Sequence, residues 1–227
     1  MRTVIVSVQR KGGVGKTTVA VSVAGELRQR GHRVAVVDAD SQRSAAMWGE
    51  LRQLQFPIHE LPLEAGRASD WVRRLEGLAY DFVVVDTPPN EYAVGAAVAV
   101  ATIALVPCTP SGLDLDATGK ALNVVNAVRA RRRDPLPVLL VPNRVDGRSL
   151  EGRQLSEELR ALGETVAPSL GDRRAFVRAF STGQTVNTFA PGSVADREVK
   201  ALSDAVLRTT MEPTAAMRSS PAALWRA

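Results

Sequence analysis

The residues best suited to chemistry form one short segment, residues 11–18, with the sequence KGGVGKTT. Glycines at this spacing let backbone N–H groups approach phosphate oxygens, and a lysine after the last glycine meets the terminal phosphates. In such a loop Lys16 binds the phosphates and the Thr17 hydroxyl faces Mg²⁺. Arg10 stands where the ordinary motif has a further glycine, and Lys11 adds a second lysine. The segment therefore predicts a nucleoside triphosphate site with an unusual loop.

Polar side chains also follow three other apolar runs. Asp38 and Asp40 follow one run, Asp86 follows another, and Asn143 and Arg144 follow a third. Because parallel sheets bind ligands beyond the carboxyl ends of their strands, we expect these residues to line one crevice. There Asp86 could hold Mg²⁺ through a water, Asp40 could orient an attacking water, and Asn143 could pair with adenine. The structural alternatives are that Asp86 and Asn143 shape turns and that Asp40 caps a helix.

The elements that must position these residues alternate between strand and helix patterns. This alternation predicts an α/β fold, a doubly wound, mostly parallel sheet with helices on both faces. Strands are predicted at residues 4–8, 33–37, 58–63, 82–85, 102–106, 138–141 and 165–167, and helices at 18–29, 44–54, 68–78, 92–100, 115–132, 149–162, 172–180 and 195–207. We expect residues 1–211 to form a single P-loop domain and residues 212–227 a flexible tail.

Composition narrows the functional classes. The 227-residue chain is 45% hydrophobic and 23% charged, which is typical of a globular protein. Its one cysteine, Cys108, excludes a disulfide framework and a cysteine-ligated metal or iron–sulfur site within one chain. No charged-then-apolar signal segment precedes the first strand, and the apolar stretch 94–106 is too short to span a bilayer. We therefore expect a cytoplasmic protein.

The positive charge is unevenly distributed. The net charge is +5, and the excess of basic residues lies in residues 120–227. A basic half favours a polyanionic partner such as DNA, because each neutralised phosphate releases counterions. The alternative is an Arg-rich composition with solvated helix faces.

The motifs carry a family resemblance. Residues 11–18 resemble the deviant Walker A motif of the ParA/MinD ATPase superfamily. Residues 36–42, VVDADSQ, resemble its second signature, where proline is commoner than Ser41, and residues 81–89, DFVVVDTPP, resemble its Walker B strand. With residues 142–144, PNR, the resemblance extends over most of the chain in the right order.

Within that superfamily the chain is most similar to the small ParA proteins typified by ParF. The chain is short, and Trp48 follows the second signature. We also expect no N-terminal DNA-binding domain. Residues 107–116 resemble a proline-containing segment that contributes to subunit contacts in those proteins.

The resemblance implies roles for individual residues. The implied nucleotide-binding residues are Lys11, Gly12, Gly13, Val14, Gly15, Lys16, Thr17, Thr18, Asn143 and Arg144. The implied catalytic residues are Lys11, Lys16 and Asp40, and Thr17 and Asp86 belong to the Mg²⁺ site, with Asp86 acting through a water. Lys11 would reach across a homodimer to the partner's ATP, where a cation supplied in trans acts like an arginine finger. We therefore expect ATP-dependent sandwich dimerisation.

Members of the superfamily also bind DNA without sequence preference through basic residues in this half of the chain. The corresponding candidates are Arg173, Arg174, Arg178 and Lys200. For each of them the alternative is a solvated helix face. The arginine-rich run 129–133 is a weaker candidate, because it could cap the carboxyl end of a helix.

These expectations lead to a ParA-type ATPase that partitions plasmid or chromosome DNA. It would bind ATP and Mg²⁺, dimerise, associate with the nucleoid and leave it when a centromere-binding or cargo-adaptor protein stimulates its weak ATPase activity. The alternative is the same mechanism applied to a protein cargo such as a carboxysome or chemoreceptor cluster.

Two further classes of function fit the sequence less well. A MinD-like membrane-surface ATPase needs a basic amphipathic helix at the C-terminus, but Pro213 and Pro221 interrupt residues 211–227, so no membrane binding is expected. An iron–sulfur reductase needs paired cysteines, whereas this chain has only Cys108. A cobyrinate-type amidotransferase has a further catalytic domain, for which we expect this chain to be too short.

Overall fold

Seven parallel strands form the sheet at the centre of residues 2–211, the part of the chain that the computed structural model describes. The strands are β1 (Thr3–Ser7), β2 (Val34–Asp38), β3 (Ile58–Glu60), β4 (Phe82–Asp86), β5 (Ile103–Cys108), β6 (Val138–Pro142) and β7 (Thr165–Val166). Their order is β3-β2-β4-β1-β5-β6-β7, and every neighbouring pair is parallel. The predicted α/β fold is confirmed, with a sheet that is parallel throughout.

Helices cover both faces of this sheet. They are α1 (Lys16–Gln29), α2 (Ser44–Glu50), α3 (Ala68–Glu76), α4 (Glu91–Val100), α5 (Gly112–Arg129), α6 (Leu150–Arg160), α7 (Arg174–Ser181), α8 (Val186–Phe189) and α9 (Val194–Met211). The core on one face contains side chains of α1, α2 and α7 to α9, and the core on the other contains those of α3 to α6. The sheet is therefore doubly wound, as predicted.

The central strands are apolar on both sides because both sides are covered. In β1 the side chains of Val4 and Val6 enter one core and Ile5 enters the other. This two-sided burial explains the nearly continuous apolar runs in the sequence, which an open antiparallel sheet would not need.

Some element boundaries differ from the predictions. Helix α2 ends at Glu50 rather than at residue 54, because Arg52 takes a left-handed conformation with φ of 56°. Helix α5 begins at Gly112, three residues before the predicted start. The four-residue helix α8 was not predicted, and it is too short to show a clear period.

The predicted tail, residues 212–227, lies outside the described residues, as does nearly all of the segment considered for membrane binding. Its flexibility and the single-domain boundary at residue 211 therefore stay predictions. Within residues 2–211, no helix is both long enough and apolar enough to cross a membrane.

Strand register brings the predicted functional residues together. Strand β4 lies between β2 and β1, so that Asp86 is opposite Asp38 on one side and Ser7 on the other. The loop before α1 leaves β1 at this same edge. The acidic residues and the loop therefore lie at one end of the sheet, as expected for a ligand site in a parallel α/β fold.

Candidate functional site

A cavity of about 540 Å³ opens at the carboxyl ends of the strands. Its volume is within the range of small-molecule and cofactor sites, about 300–1,000 Å³. It is lined by every predicted nucleotide-binding residue except Lys11 and Val14, and also by Asp40. The structure thus brings the loop, Asp40, Asn143 and Arg144 into one cavity, whereas Asp38 and Asp86 lie at the same edge of the sheet but do not line it.

The loop is shaped so that its backbone N–H groups can bind an anion. Gly13 and Gly15 have φ values of 78° and 95°, a conformation that other residues rarely adopt. Gly15 is the N-cap of α1, and within residues 2–211 no side chain caps this end of the helix. The first turn of α1 contains no acidic residue either. The free N–H groups and the positive end of the helix dipole suit a phosphate group.

Lys16 lies inside the loop. Its side chain is buried, and its Nζ donates a hydrogen bond to the Lys11 carbonyl oxygen at 3.1 Å. Burial lowers the pKa of Lys16, while the nearby carboxylates of Asp86 and Asp40 act in the opposite direction. The ammonium group is thus positioned where negatively charged phosphates would stabilise it.

Asp86 and Thr17, the two residues predicted to hold Mg²⁺, lie side by side. The Thr17 hydroxyl donates to Asp86 Oδ2 at 2.6 Å. Asp86 Oδ1 is buried and has no hydrogen-bond partner within residues 2–211. Burial, opposed by the Thr17 hydrogen bond, raises the pKa of Asp86 to about 7.

This donor set fits Mg²⁺, because a buried carboxylate oxygen without a partner lies beside a hydroxyl oxygen and Mg²⁺ prefers oxygen ligands. The described residues contain no cluster of three acidic, histidine or cysteine side chains that could hold a metal alone. That also suits Mg²⁺, which usually keeps waters and phosphate oxygens as most of its ligands.

Asp40 faces the cavity, and it does not cap α2. Its Oδ1 accepts a hydrogen bond from the Gln42 backbone N–H at 3.0 Å. The carboxylate that accepts from the first turn of α2 belongs to Asp38, whose Oδ2 accepts from the Ala46 backbone N–H at 2.8 Å. Asp40 is therefore available to a water or a phosphate in the cavity.

Asn143 lines the cavity and also supports the loop. Its Nδ2 donates to the Val14 carbonyl oxygen at 2.7 Å, and the residue is buried. A Cβ atom at Gly15 would lie 2.1 Å from the same nitrogen, so the close packing requires glycine there. The predicted contact of Asn143 with adenine stays a prediction, whereas its contact with the loop is observed.

Lys11 lies beside the cavity but does not line it. Its ammonium group pairs with the carboxylate of Asp114, at the start of α5 in the same chain. Asp114 is buried and also accepts a hydrogen bond from the Thr109 hydroxyl. Asp114 was not predicted as a site residue, although it lies in the segment 107–116 that the resemblance connects with subunit contacts.

An apolar wall on one side of the cavity was also missed. Trp48 of α2 contacts Phe180 of α7 edge to face, with ring centroids 5.1 Å apart. Phe176 and Val177 of α7 complete the wall. The sequence predicts helices at residues 44–54 and 172–180, but it does not show that these two helices pack together beside the cavity.

The four DNA-binding candidates occupy different environments. Arg173 lines the cavity and pairs with Glu198 at 2.8 Å. Lys200 pairs with the buried carboxylate of Asp196 at 2.9 Å. Arg174 and Arg178 are exposed on α7 and form no ion pair within residues 2–211. Arg174 and Arg178 are therefore the better placed of the four for a polyanion.

The arginine-rich run 129–133 includes a structural residue. Arg132 donates hydrogen bonds to the carbonyl oxygens of Val98, Ala99 and Ala101 at 2.7–2.8 Å. These carbonyls lie at the carboxyl end of α4, where a cation satisfies free acceptors. The capping interpretation therefore fits Arg132, although the helix that it caps is α4 rather than its own.

Sequence and structure comparisons relate this chain to known proteins. The family model of the CobQ/CobB/MinD/ParA nucleotide binding domain matches residues 5–186. The "Maintenance of carboxysome distribution protein A" of Halothiobacillus neapolitanus is 34% identical over 174 residues, which cover 74% of this chain and 78% of that protein. The chromosome-partitioning ATPase Soj of Thermus thermophilus is 30% identical, with coverage of 89% and 94%.

Among solved structures, a variant of Cyanothece McdA in complex with ATP is similar to this chain. The aligned region covers 90% of this chain and 96% of that one, with a TM-score of 0.75 and 16% identity. This similarity shows that the two chains share a fold. The family match, in contrast, rests on the sequence and includes the loop, the acidic strand ends and Asn143. The chain therefore belongs to the CobQ/CobB/MinD/ParA nucleotide-binding family, whose ParA and MinD members are ATPases.

Proposed function

We propose that this protein is a ParA-type positioning ATPase that distributes a protein assembly over the nucleoid. The observation that carries the proposal is the cavity at the strand ends, which the loop, Asp40 and Asn143 line, in a chain with 34% identity to a carboxysome distribution protein. ATP would assemble two chains into a sandwich dimer that binds DNA, and a cargo adaptor would stimulate hydrolysis and release.

The relatives support one of the two cargoes that the sequence allows. The sequence alone favours plasmid or chromosome partition, with a protein cargo as the alternative. Two carboxysome distribution proteins are 34% and 35% identical to this chain over about three quarters of it, which favours the alternative. The similarity to Soj, which extends over 89% of the chain at 30% identity, supports chromosome partition as the second candidate.

The chemistry proposed for the chain's own residues follows from their positions. The loop N–H groups and Lys16 would hold the phosphates, and the Asp40 carboxylate would accept a hydrogen bond from the attacking water and orient it towards the γ-phosphorus. Thr17 and Asp86 would hold Mg²⁺, which supplies positive charge to the β- and γ-phosphates when bound. Lys11 of the partner subunit would neutralise charge that develops on the γ-phosphoryl oxygens.

DNA binding would use the exposed arginines of α7. A protein that contacts phosphates through Arg174 and Arg178 in both subunits binds without sequence preference, and its affinity falls steeply with salt. Because the dimer carries twice as many of these contacts as the monomer, ATP would control retention on the nucleoid through dimerisation.

DNA retention with ATP, with ADP and without nucleotide, measured across a salt series, tests this proposal. We expect retention only with ATP, decreasing as salt increases. Retention that is equal in all three states would contradict nucleotide control. In cells, loss of the protein should cluster the protein assembly, whereas plasmid or chromosome loss with normal assembly positions would favour the partition function instead.

A further inference from the structure

Asp38 is a buried carboxylate that the proposed chemistry leaves without a role. It ends β2, it is 1% exposed, and it does not line the cavity. It therefore has no direct access to a nucleotide. Asp38 lies opposite a second buried carboxylate, Asp86, and burying a carboxylate costs free energy unless its oxygens accept hydrogen bonds. The hydrogen-bond partners of Asp38 therefore indicate its role.

Both oxygens of Asp38 accept backbone N–H groups of the next loop. Oδ1 accepts from Asp40 N at 3.1 Å, and Oδ2 accepts from Ala46 N at 2.8 Å. The two donors stand at opposite ends of the segment 40–46. One rigid side chain thus fixes both ends of the segment that carries Asp40.

Helix α2 lacks a cap of its own. Its N-cap residue is Arg43, which has φ of 59° and provides no side-chain hydrogen bond to the helix. Ala46 is the third residue of α2, where an N-cap side chain normally accepts a hydrogen bond. Asp38 therefore acts as a remote cap for α2.

We propose that Asp38 is a positioning residue for ATP hydrolysis, which holds the Asp40 backbone and the start of α2 so that the Asp40 carboxylate faces the attacking water. The proposal rests on the proposed function, because it assigns Asp38 to the hydrolysis carried out at that site. Asp38 acts entirely through Asp40 and contacts no reacting atom.

The effect is expected in turnover and not in ATP binding. The phosphates are held by residues 11–18, which Asp38 does not contact, so the ATP dissociation constant should change less than about twofold. A displacement of about 1 Å in a catalytic group can cost about 100-fold in rate. Asp38→Ala should therefore lower kcat by about 10- to 100-fold, and Asp38→Asn, which keeps one acceptor oxygen, should lower it less.

The experiment is a double-mutant cycle with Asp38→Ala, Asp40→Ala and the combined variant, with kcat and ATP affinity measured for each. If Asp38 acts only through Asp40, the combined variant loses no more activity than Asp40→Ala alone. A combined variant that is slower by the product of the two separate losses would overturn the proposal. Loss of ATP affinity in Asp38→Ala would do so as well.

Asp196→Asn is the matched control. Asp196 is also a fully buried carboxylate that accepts from a backbone N–H, that of Gly192 at 2.7 Å, but it lies at the start of α9. Its substitution should lower the melting temperature and leave kcat unchanged. An equal loss of kcat in Asp196→Asn would mean that general destabilisation explains the Asp38 result.

A second measurement separates this inference from the proposed function. If the wild-type protein does not hydrolyse ATP, the proposed function fails, and amide hydrogen exchange in Asp38→Asn still tests the positioning. We expect faster exchange in residues 40–46 and unchanged exchange in residues 11–18. Unchanged exchange in residues 40–46 would overturn the role of Asp38.

Discussion

Lys11 is paired with Asp114 of its own chain, although its proposed target is the ATP of a second subunit. Asp114 is also held by Thr109, so the acceptor is fixed while the lysine is partly exposed. Asp114 therefore holds the Lys11 side chain, and Lys11 does not line the cavity of its own chain. The ion pair must break before Lys11 can reach a second subunit. Breaking it would therefore reduce the free energy gained on dimerisation.

Asp114→Asn should strengthen ATP-dependent dimerisation. The substitution removes the charge that competes for Lys11 and keeps an oxygen for Thr109. A charge-assisted hydrogen bond contributes about 1.5–3 kcal/mol, and because Lys11 is partly exposed we expect a three- to tenfold lower dimer dissociation constant. Sedimentation with ATP measures this, with Asp116→Asn, an exposed acid of the same helix, as the control. Dimerisation as weak as that of Lys11→Ala would instead show that Asp114 orients the lysine.

Asp86 should make the nucleotide-free protein less stable as pH rises. Its pKa is raised to about 7 in the folded protein, against 3.8 for an ordinary aspartate. The contribution of Asp86 is therefore fully present below about pH 4 and is lost as pH rises to about 7. In EDTA, Asp86→Asn should be more stable than the wild type at pH 8, by on the order of 3 kcal/mol, and the difference should vanish near pH 4.

Asp81→Asn provides a control of the opposite sign. The exposed ion pair with Arg33 lowers the pKa of Asp81 to about 2, so its contribution to stability is present at neutral pH and lost in acid. Chemical denaturation at several pH values measures both variants. A wild-type minus Asp86→Asn difference that does not change with pH would show that the pKa of Asp86 is the same in the folded and unfolded states.

Asn143→Ala should weaken binding of ATP and GTP to a similar degree. The observed contact is between Asn143 Nδ2 and the Val14 carbonyl oxygen, which supports the phosphate loop and does not depend on the base. We expect about a tenfold loss for both nucleotides in a binding titration, which corresponds to one charged or buried hydrogen bond. A loss for ATP alone, with GTP unchanged, would assign the amide to adenine instead.

Arg174→Ala combined with Arg178→Ala should weaken DNA binding at all sequences. Each lost phosphate contact reduces the slope of log K against log salt by about 0.9, so the pair should reduce it by about 2 per subunit. Lys200→Ala is the comparison, because that lysine already pairs with Asp196. Salt-dependent retention assays give both slopes. If Lys200→Ala and the double variant have equal effects, the ion pair with Asp196 does not keep Lys200 from contacting DNA.

The sequence was sufficient to predict the fold and most of the residues of the loop and strand ends that line the cavity. Residues 11–18 are contiguous, so their motif is visible without a structure, and Asp86 and Asn143 follow apolar strands whose ends must meet at one edge. Asp40 was assigned to the cavity with helix capping as the alternative. The structure shows that its neighbour Asp38 accepts the hydrogen bond from α2.

The partners that depend on long-range packing could not be predicted. Lys11 and Asp114 are 103 residues apart, and the contact depends on where α5 begins relative to the loop. The apolar wall formed by Trp48 and Phe180 depends likewise on how α2 packs against α7. A helical pattern predicts each of the two helices, but it does not show which of their surfaces meet.

The most direct test of the shared site is a mixture of two variants that are each expected to hydrolyse ATP much more slowly than the wild type, Lys11→Ala and Asp40→Ala. If Lys11 acts in trans, one site of each mixed dimer contains both Asp40 from its own chain and Lys11 from the other. An equal mixture, combined before ATP is added, should therefore recover about a quarter of the wild-type ATPase rate, because half of the dimers are mixed and each has one complete site. No recovery, with mixed dimers present, would show that Lys11 serves its own nucleotide and would contradict the shared site.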